Sequence, residues 1–370
     1  MTTIAITGAE GLIGWHLSCQ LRGNTEAKVI RGGRSIFSNS ENLDDFVEGA
    51  DVIVHLAGVN RGPDEDVVAG NISLARDLAS AIERSDRPTH VLFANSTHAD
   101  GDTAYGQSKR EAARLLCAAT DTTGGVFTDL MLPHVFGERG RPFYNSVVST
   151  FCHQLATGET PTIDQDGQLN LLHAQAVAAL IARCIDAPPT ASQQLRPDGT
   201  SLVVSELLEL LKNIAATYRQ GIIPQLSDDI SLDLFNTYRS YLYPSIYPVP
   251  LIKRTDARGS LVEVVKGGSG GQSFISDSYP SIERGNHFHL RKVERFVVLR
   301  GQATIGIRRL FDDVIVDFVV DGETPTFVDI PTMHTHNLTN TGSTELVTLF
   351  WSHEMFNPDA PDTYAEMVNR

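Results

Sequence analysis

Cysteine is scarce. Four stand among 370 residues, at Cys19, Cys117, Cys152 and Cys184, all in the N-terminal half and none in C-x-x-C spacing. That excludes a disulfide-stapled scaffold and a cysteine-based zinc module, and leads us to expect buried, reduced thiols in a reducing cytoplasm. No apolar run approaches the ~18 residues that cross a bilayer, so no membrane segment is expected. The opening Met1-Thr2-Thr3-Ile4-Ala5-Ile6 has no basic region ahead of its apolar stretch and does not read as a secretory signal. Positive charge is also short. Thirty Lys and Arg stand against 45 Asp and Glu, a formal net charge of −15. This argues against a nucleic-acid surface but leaves room for a local anion site at a helix N-terminus. Long-period repeats and low-complexity tracts are missing too. What remains, 41% hydrophobic and 20% charged residues, is ordinary for globular domains, and the length accommodates two or three.

Residues 1 to about 185 alternate β-branched runs with amphipathic stretches. Ile4–Thr7, Val29–Arg31, Val52–Ala57, Val91–Asn95 and Phe127–Leu132 read as buried strands. Leu12–Leu21, Ile72–Arg84 and Tyr105–Ala119 read as helices. This is the pattern of an α/β, Rossmann-like, doubly wound parallel sheet. Ser201–Tyr218 reads as a further helix, and Tyr238–Pro250, with four tyrosines and three prolines, as a connector. Beyond Gly259, short apolar runs separated by Gly, Asp and Asn predict an antiparallel, all-β barrel of jelly-roll type. The expected division is 1–245 for a dinucleotide-binding domain and 246–370 for the barrel.

Gly8, Gly11 and Gly14 form G-x-x-G-x-x-G between the first strand and the first helix. The first glycine permits the turn, the second a close backbone approach to a pyrophosphate, and the third close helix–strand packing. With Leu12 and Ile13 they make the expected cofactor loop. The second strand ends in Arg31 and Arg34 rather than in an acidic residue. Arginine there suits the 2′-phosphate of NADP, whereas Asp or Glu would bind the ribose of NAD; a solvated basic turn is the bland alternative. Leu56, Ala57 and Gly58, within His55-Leu-Ala-Gly58, are placed along the cofactor. His55 reads as a packed strand residue and Asn71 as structural.

Tyr105 and Lys109 lie four apart on a helix and share a face. Lys109 can bind the nicotinamide ribose and lower the Tyr105 pKa, and Tyr105 can donate its proton to a carbonyl oxygen. Ser96, at a strand end, would polarise the same carbonyl; its neighbour Thr97 could serve instead. These motifs, in this order, resemble the extended short-chain dehydrogenase/reductases. Two departures stand out. Nine positions separate Ser96 from Tyr105, far fewer than that superfamily usually has. In Met131-Leu-Pro-His134-Val-Phe-Gly137, Met131 and His134 replace the usual Arg and Asn.

Near the C-terminus, His287, His289, Glu294 and Gly301 stand as H-x-H-x-x-x-x-E-x-x-x-x-x-x-G, and Pro331, His336 and Asn340 as P-x-x-x-x-H-x-x-x-N. Two His at i and i+2 on a strand face one side. The set His287, His289, Glu294 and His336 is a four-ligand site for a divalent metal. Zn, Mn, Fe and Ni all suit it, with zinc as the working expectation. The motifs match those of cupins. Met333 stands where glycine is usual. His334 reads as a solvated turn residue rather than a fifth ligand, and Lys292 as a residue near the ligands of undetermined facing.

The whole chain resembles one family, the CapF-type enzymes of capsule and O-antigen synthesis. The resemblance is carried by Ile6–Gly14, His55–Arg61, Tyr105–Lys109, Tyr144–Val148, Asp256–Gly259, Gly285–His289 and Pro358–Tyr364. It implies an extended short-chain reductase domain fused to a metal-binding cupin, acting on a UDP-linked 4-keto-6-deoxy-amino sugar. The cupin would epimerise C3. The reductase would then reduce C4 with NADPH, giving UDP-N-acetyl-6-deoxy-L-talosamine on the route to UDP-N-acetyl-L-fucosamine. It also implies a homodimer formed through the cupin. Two rival readings are a reductase of another nucleotide-linked 4-keto sugar with a non-catalytic cupin, and a regulator that binds NADP(H) without turnover.

Overall fold

The computed structural model describes residues 1–24, 26–257, 259–267 and 270–369, with backbone alone at 259–261. Arg258, within the Asp256–Gly259 segment, lies outside the described residues. The chain divides into two compact units, 1–150 with 165–204, and 151–164 with 205–370.

In the first unit, β1 (Thr3–Thr7), β2 (Lys28–Gly32), β3 (Val52–His55), β4 (His90–Ser96) and β5 (Val126–Leu132) form a parallel sheet in the order β2-β1-β3-β4-β5, with Gln193–Leu195 beyond β5. Alternate strand residues serve opposite faces. Ile4, Ile6, Val54, Leu92 and Leu130 pack with Leu17 and Leu21 of α1 (Leu12–Asn24) and with Ile181 of the helix Ala174–Asp186. Ala5, Ile53, Val91 and Phe93 pack with Phe46 of α2 (Ser40–Val47), Leu78 of α3 (Asp64–Ser85) and Leu116 of α4 (Ala104–Thr122). Both faces are thus covered, which is why these strands read as continuous apolar runs.

The second unit carries two five-stranded sheets. In one, Glu294–Arg300 lies between Thr326–Ile330 and Leu346–Ser352; in the other, His334–Asn340 lies between Gln302–Arg309 and Glu283–Phe288. Phe296, Val298, Phe327 and Ile330 of the first meet Ala303, Ile305, Phe318 and Leu338 of the second in one core. The result is an all-β barrel.

Several sequence expectations change. Thr200–Val203 is a strand paired with Gln168–Leu171, so the expected helix begins only at Val204; β-branched Thr200 and Val203 suit the pleat. Tyr238 is not in a connector. It is fully buried on the helix Asp229–Leu242, and the chain leaves that helix only at Tyr243, before Pro244. Both helices after residue 204 pack with the barrel and belong to its compact unit. Tyr218 hydrogen-bonds Asp329 at 2.5 Å, and Arg239 donates to the Ile330 carbonyl. Arg295 forms a fully buried bidentate pair with the same Asp329, at 2.7 and 2.9 Å. Cys117 is half-buried rather than buried like the other three cysteines. Among the described residues no helix is long and apolar enough to cross a membrane.

Candidate active site and metal centre

The glycine loop has the geometry its spacing predicts. Gly8 has φ +66°, and a Cβ there would fall 2.7 Å from the Ala57 nitrogen. A Cβ on Gly14 would fall 2.3 Å from the Gly8 carbonyl oxygen. Gly11 meets only that same oxygen, at 3.2 Å, and is otherwise open. Thr7 ties the loop to β3, its hydroxyl accepting from the Leu56 and Ala57 nitrogens at 3.1 Å. Leu12 and Ile13 open α1, as expected of a phosphate-facing helix start. Backbone packed this closely on two sides and open on a third fits a dinucleotide. His55 is a packed strand residue; its Nδ1 contacts Thr7 Oγ1 at 2.8 Å, and burial brings its pKa down to about 3. Asn71 is structural, bonding both the nitrogen and the oxygen of Val59 at 2.8 Å. A Cβ on Gly58 would come 3.1 Å from Asn71 Oδ1 and 3.8 Å from Lys109 Nζ. Arg31 pairs with Glu10 at 2.8 Å, and Arg34 begins a short 3-10 turn, Arg34–Phe37.

The structure brings Ser96, Tyr105 and Lys109 together. Ser96 ends β4 and caps the 3-10 turn Thr97–Asp100, accepting from the His98 nitrogen at 3.2 Å. Thr103 caps α4, and Tyr105 stands in its first turn. A Cβ on Gly106 would lie 2.1 Å from the His98 carbonyl oxygen, so the glycine after Tyr105 lets helix and turn meet. This tight arrangement spans the nine positions from Ser96 to Tyr105. It is braced by Arg196 on Asp100 at 2.6 and 2.9 Å and by Arg110 on the Ala99 and Gly101 carbonyls. Burial raises the Tyr105 pKa, opposed by its hydrogen bond with Ser96. The Lys109 ammonium, 5.9 Å from the Tyr105 ring, donates to the Ala94 carbonyl at 2.7 Å. Burial brings Lys109 itself down to about 8, with Asp129 opposing. A phenol held protonated at neutral pH is in the form a proton donor needs.

In the barrel, Gly285 and Asn286 both adopt left-handed φ, +102° and +60°, and the strand bulges there. The bulge sets His287 opposite His336 across the strand pair. His289 follows two residues on, and Glu294 enters from the other sheet. The four ligand atoms lie within 4.8 Å of one another. Glu294 Oε2 is 2.8 Å from His289 Nε2 and 3.5 Å from His336 Nε2. His289 Nδ1 donates to the Asp362 carbonyl at 2.5 Å, which leaves Nε2 as the ligand atom. Burial depresses the His287 pKa to about 3, keeping that imidazole neutral. Burial would raise the Glu294 carboxyl, but His289 and His336 hold it well below the usual range. Buried His336 Nε2 finds no hydrogen-bond partner among the described residues. Three imidazoles, one carboxylate and an orphaned nitrogen fit a divalent cation.

One residue was misread, one was left open and one was missed. His334 is buried rather than solvated, its Nδ1 on the Thr332 carbonyl at 2.8 Å and its ring 5.0 Å from Tyr243. Lys292 is buried too, donating to the Pro361 carbonyl at 2.7 Å. Asp362 was missed: besides holding His289, its carboxylate accepts from the Leu290, Arg291 and Lys292 nitrogens. The only signal was its place in Pro358–Tyr364. Met333, at a usual glycine, has φ +59° and is fully buried. The left-handed φ is why glycine is the easier residue there; the conformation is held by the Met333 nitrogen on the His289 carbonyl and the Met333 oxygen on the Leu310 nitrogen.

These features define a class, an extended short-chain dehydrogenase/reductase module joined to a β barrel that carries a cluster of three His and one Glu able to hold a metal. Residues 4–194 match the NAD dependent epimerase/dehydratase family, and residues 254–364 match the polysaccharide biosynthesis C-terminal domain. The chain is 30% identical over 366 residues to the UDP-2-acetamido-2,6-beta-L-arabino-hexul-4-ose reductase of Pseudomonas aeruginosa, covering 98% of each. It matches the crystal structure of the capsular polysaccharide assembling protein CapF from Staphylococcus aureus with a TM-score of 0.64 at 33% identity, covering 99% of this chain and 100% of that one. UDP-N-acetylglucosamine 4-epimerase from Bacillus cereus, 19% identical with a TM-score of 0.51 over 58% of this chain and 82% of that one, shares the fold. The chain belongs to the CapF family, whose N-terminal part is an NAD dependent epimerase/dehydratase module.

Proposed function

We propose that this chain is a nucleotide-sugar oxidoreductase of capsular polysaccharide synthesis. It reduces the C4 ketone of a UDP-linked 4-keto-6-deoxy-N-acetylhexosamine with NADPH, after C3 epimerisation in its barrel domain. The product is UDP-N-acetyl-6-deoxy-L-talosamine. The observation that carries this reading is the Ser96–Tyr105–Lys109 constellation, in a chain alike over nearly its whole length to a reductase named for a UDP-linked hexul-4-ose.

The chain's own residues have separable tasks. Gly8, Gly11, Leu12, Ile13 and Gly14 would hold the cofactor's pyrophosphate, and Leu56, Ala57 and Gly58 would line its path. Arg31 and Arg34 would take the 2′-phosphate, and Lys109 the nicotinamide ribose. When bound, the nicotinamide supplies the hydride. Ser96 polarises the C4 carbonyl, and the Tyr105 phenol gives its proton to that oxygen as the carbon is reduced, leaving an alcohol and a phenolate.

In the barrel, His287, His289, Glu294 and His336 would hold the cation, zinc in our reading, which supplies Lewis acidity. C3–H is acidic because a ketone adjoins it, so the sugar can lose and regain that proton. C4 reduction then removes the ketone and locks the configuration. Self-association through the barrel belongs to the same proposal.

The test is NADPH oxidation with a panel of UDP-linked 4-keto sugars in heavy water, with product stereochemistry and deuterium at C3 read by NMR. We expect oxidation, one deuterium at C3 and an inverted C3 centre. NADPH oxidation with no such sugar would sink the reductase reading. Reduction without deuterium at C3 would sink the epimerase reading.

A further inference from the structure

Glu10 occupies an unusual place. It stands in the phosphate-binding loop, between Gly8 and Gly11, where an anionic ligand is expected. Its carboxylate is shared by two arginines: Oε1 lies 2.8 Å from Arg31 on β2, and Oε2 lies 3.4 Å from Arg139. Arg139 stacks on the Trp15 ring at 5.5 Å. The loop and β2 are fixed against each other, Ile6 pairing with Arg31 and the Ala9 nitrogen donating to the Gly32 carbonyl at 3.2 Å. The three charged groups therefore meet at the end of the strand pair where the adenosine ribose is recognised in this fold. Two cations and one anion leave a net single positive charge. Glu10 is the most exposed of the three, its side chain 62% accessible against 24% for Arg31 and 29% for Arg139.

We propose that Glu10 sets the balance between the two nicotinamide dinucleotides by competing with the cofactor's 2′-phosphate for Arg31. This rests on the reading of Arg31 as the 2′-phosphate ligand. The carboxylate holds Arg31 ready, but its charge repels a phosphate arriving at the same guanidinium. An exposed ion pair contributes little, so the arginine can change partner. Any repulsion of the pyrophosphate is common to both cofactors and cancels in their ratio, whereas repulsion of the 2′-phosphate acts on NADP alone. Glu10 therefore moderates a preference that Arg31 and Arg139 alone would make steeper.

The experiment is calorimetric binding of NADP⁺ and NAD⁺ to the substrate-free full chain. Glu10→Gln keeps the shape and hydrogen-bonding oxygen and removes the charge. NADP⁺ should gain about 3- to 10-fold in affinity over NAD⁺, the range for one charge acting through partly solvated space. The gain should shrink in high salt and vanish when Arg31 is already Ala, a double-mutant cycle that isolates the pair. Weaker NADP⁺ binding, or equal shifts for both cofactors, would overturn the proposal by assigning Glu10 to loop shape. If the unmutated chain binds NAD⁺ as tightly as NADP⁺, the NADPH reading fails. Glu10 still passes if Glu10→Gln then moves the ratio toward NADP⁺.

Discussion

Lys109→Met should leave the first unit more stable while abolishing reduction. Lys109 is 7% exposed, its ammonium donating to the Ala94 carbonyl at 2.7 Å and lying 4.6 Å over the Phe93 ring. Burial lowers its pKa from 10.5 to about 8. Below pH 8 the lysine is charged in both folded and unfolded chains, and the folded state bears the full cost of burying that charge. Between pH 8 and 10.5 the unfolded chain binds more protons, so stability rises with pH and the cost fades. The gap corresponds to about 3 kcal/mol. Methionine fills the same volume without charge but leaves the Ala94 oxygen without its donor, at about 1–2 kcal/mol. The expected net gain is about 1–2 kcal/mol at pH 7, shrinking and reversing by pH 10.5. The two tryptophans fall one to each unit, Trp15 and Trp351. Urea unfolding followed by Trp15 fluorescence in a Trp351→Phe background reports on the first unit alone. Taking the difference between Lys109→Met and its parent cancels other groups that titrate in the same window. A variant less stable than its parent at pH 7, or a difference that does not change between pH 7 and 10, would refute the reasoning.

Tyr105→Phe should lower kcat by about 100-fold or more, the range for a lost general acid, with NADPH affinity retained; wild-type turnover would remove the phenol from the chemistry. Replacing Arg31 and Arg34 by Ala should erode a preference for NADPH over NADH, and equal kcat/KM for the two cofactors in the unmutated chain would count against that role. Asp329→Ala strips a fully buried Arg295 of its partner and should cost the second unit about 3–5 kcal/mol, read by Trp351 fluorescence, with a loss under about 1 kcal/mol refuting a tightly coupled pair. His289→Ala should lose bound metal and C3 exchange in heavy water while the variant still binds NADPH and reduces C4 with the original C3 configuration. Exchange at the unmutated rate would make the metal structural.

Much of the fold was legible because local chemistry and tertiary role agree. Ile4–Thr7 and Val91–Asn95 read as strands and are strands, since both faces of a parallel sheet are buried and no partner alters the pattern. Gly8 and Gly14 were readable because only glycine fits backbone approaches of 2.7 and 2.3 Å. Where a distant partner decides, the sequence misleads. Ser201–Val203 runs into a helical pattern without a break, yet pairing with Gln168–Asn170 draws those three positions into a sheet. Tyr238 sits in a tyrosine- and proline-rich stretch, yet it belongs to a helix whose Arg239 reaches the Ile330 carbonyl of the barrel. Neither partner is a sequence neighbour of the segment it redirects.

The candidate metal centre shows the same division within one site. His287, His289, Glu294 and His336 could be named in advance because their spacing resembles the two cupin motifs, and the structure sets them within 4.8 Å of one another. The groups around them obey no period. Of two residues near the ligands in sequence, Lys292 spends its ammonium on the Pro361 carbonyl, and His334 has its Nδ1 on the Thr332 carbonyl and its ring against Tyr243. A residue that moves the C3 proton needs a lone pair or proton facing the sugar, so adjacency to a ligand is no guide to it. Asp362, 68 residues beyond Glu294, orders the ligand turn with four hydrogen bonds: one from His289 Nδ1 to its carbonyl and three from backbone nitrogens to its carboxylate. Its substitution would therefore disturb the metal ligands through orientation rather than by removing one.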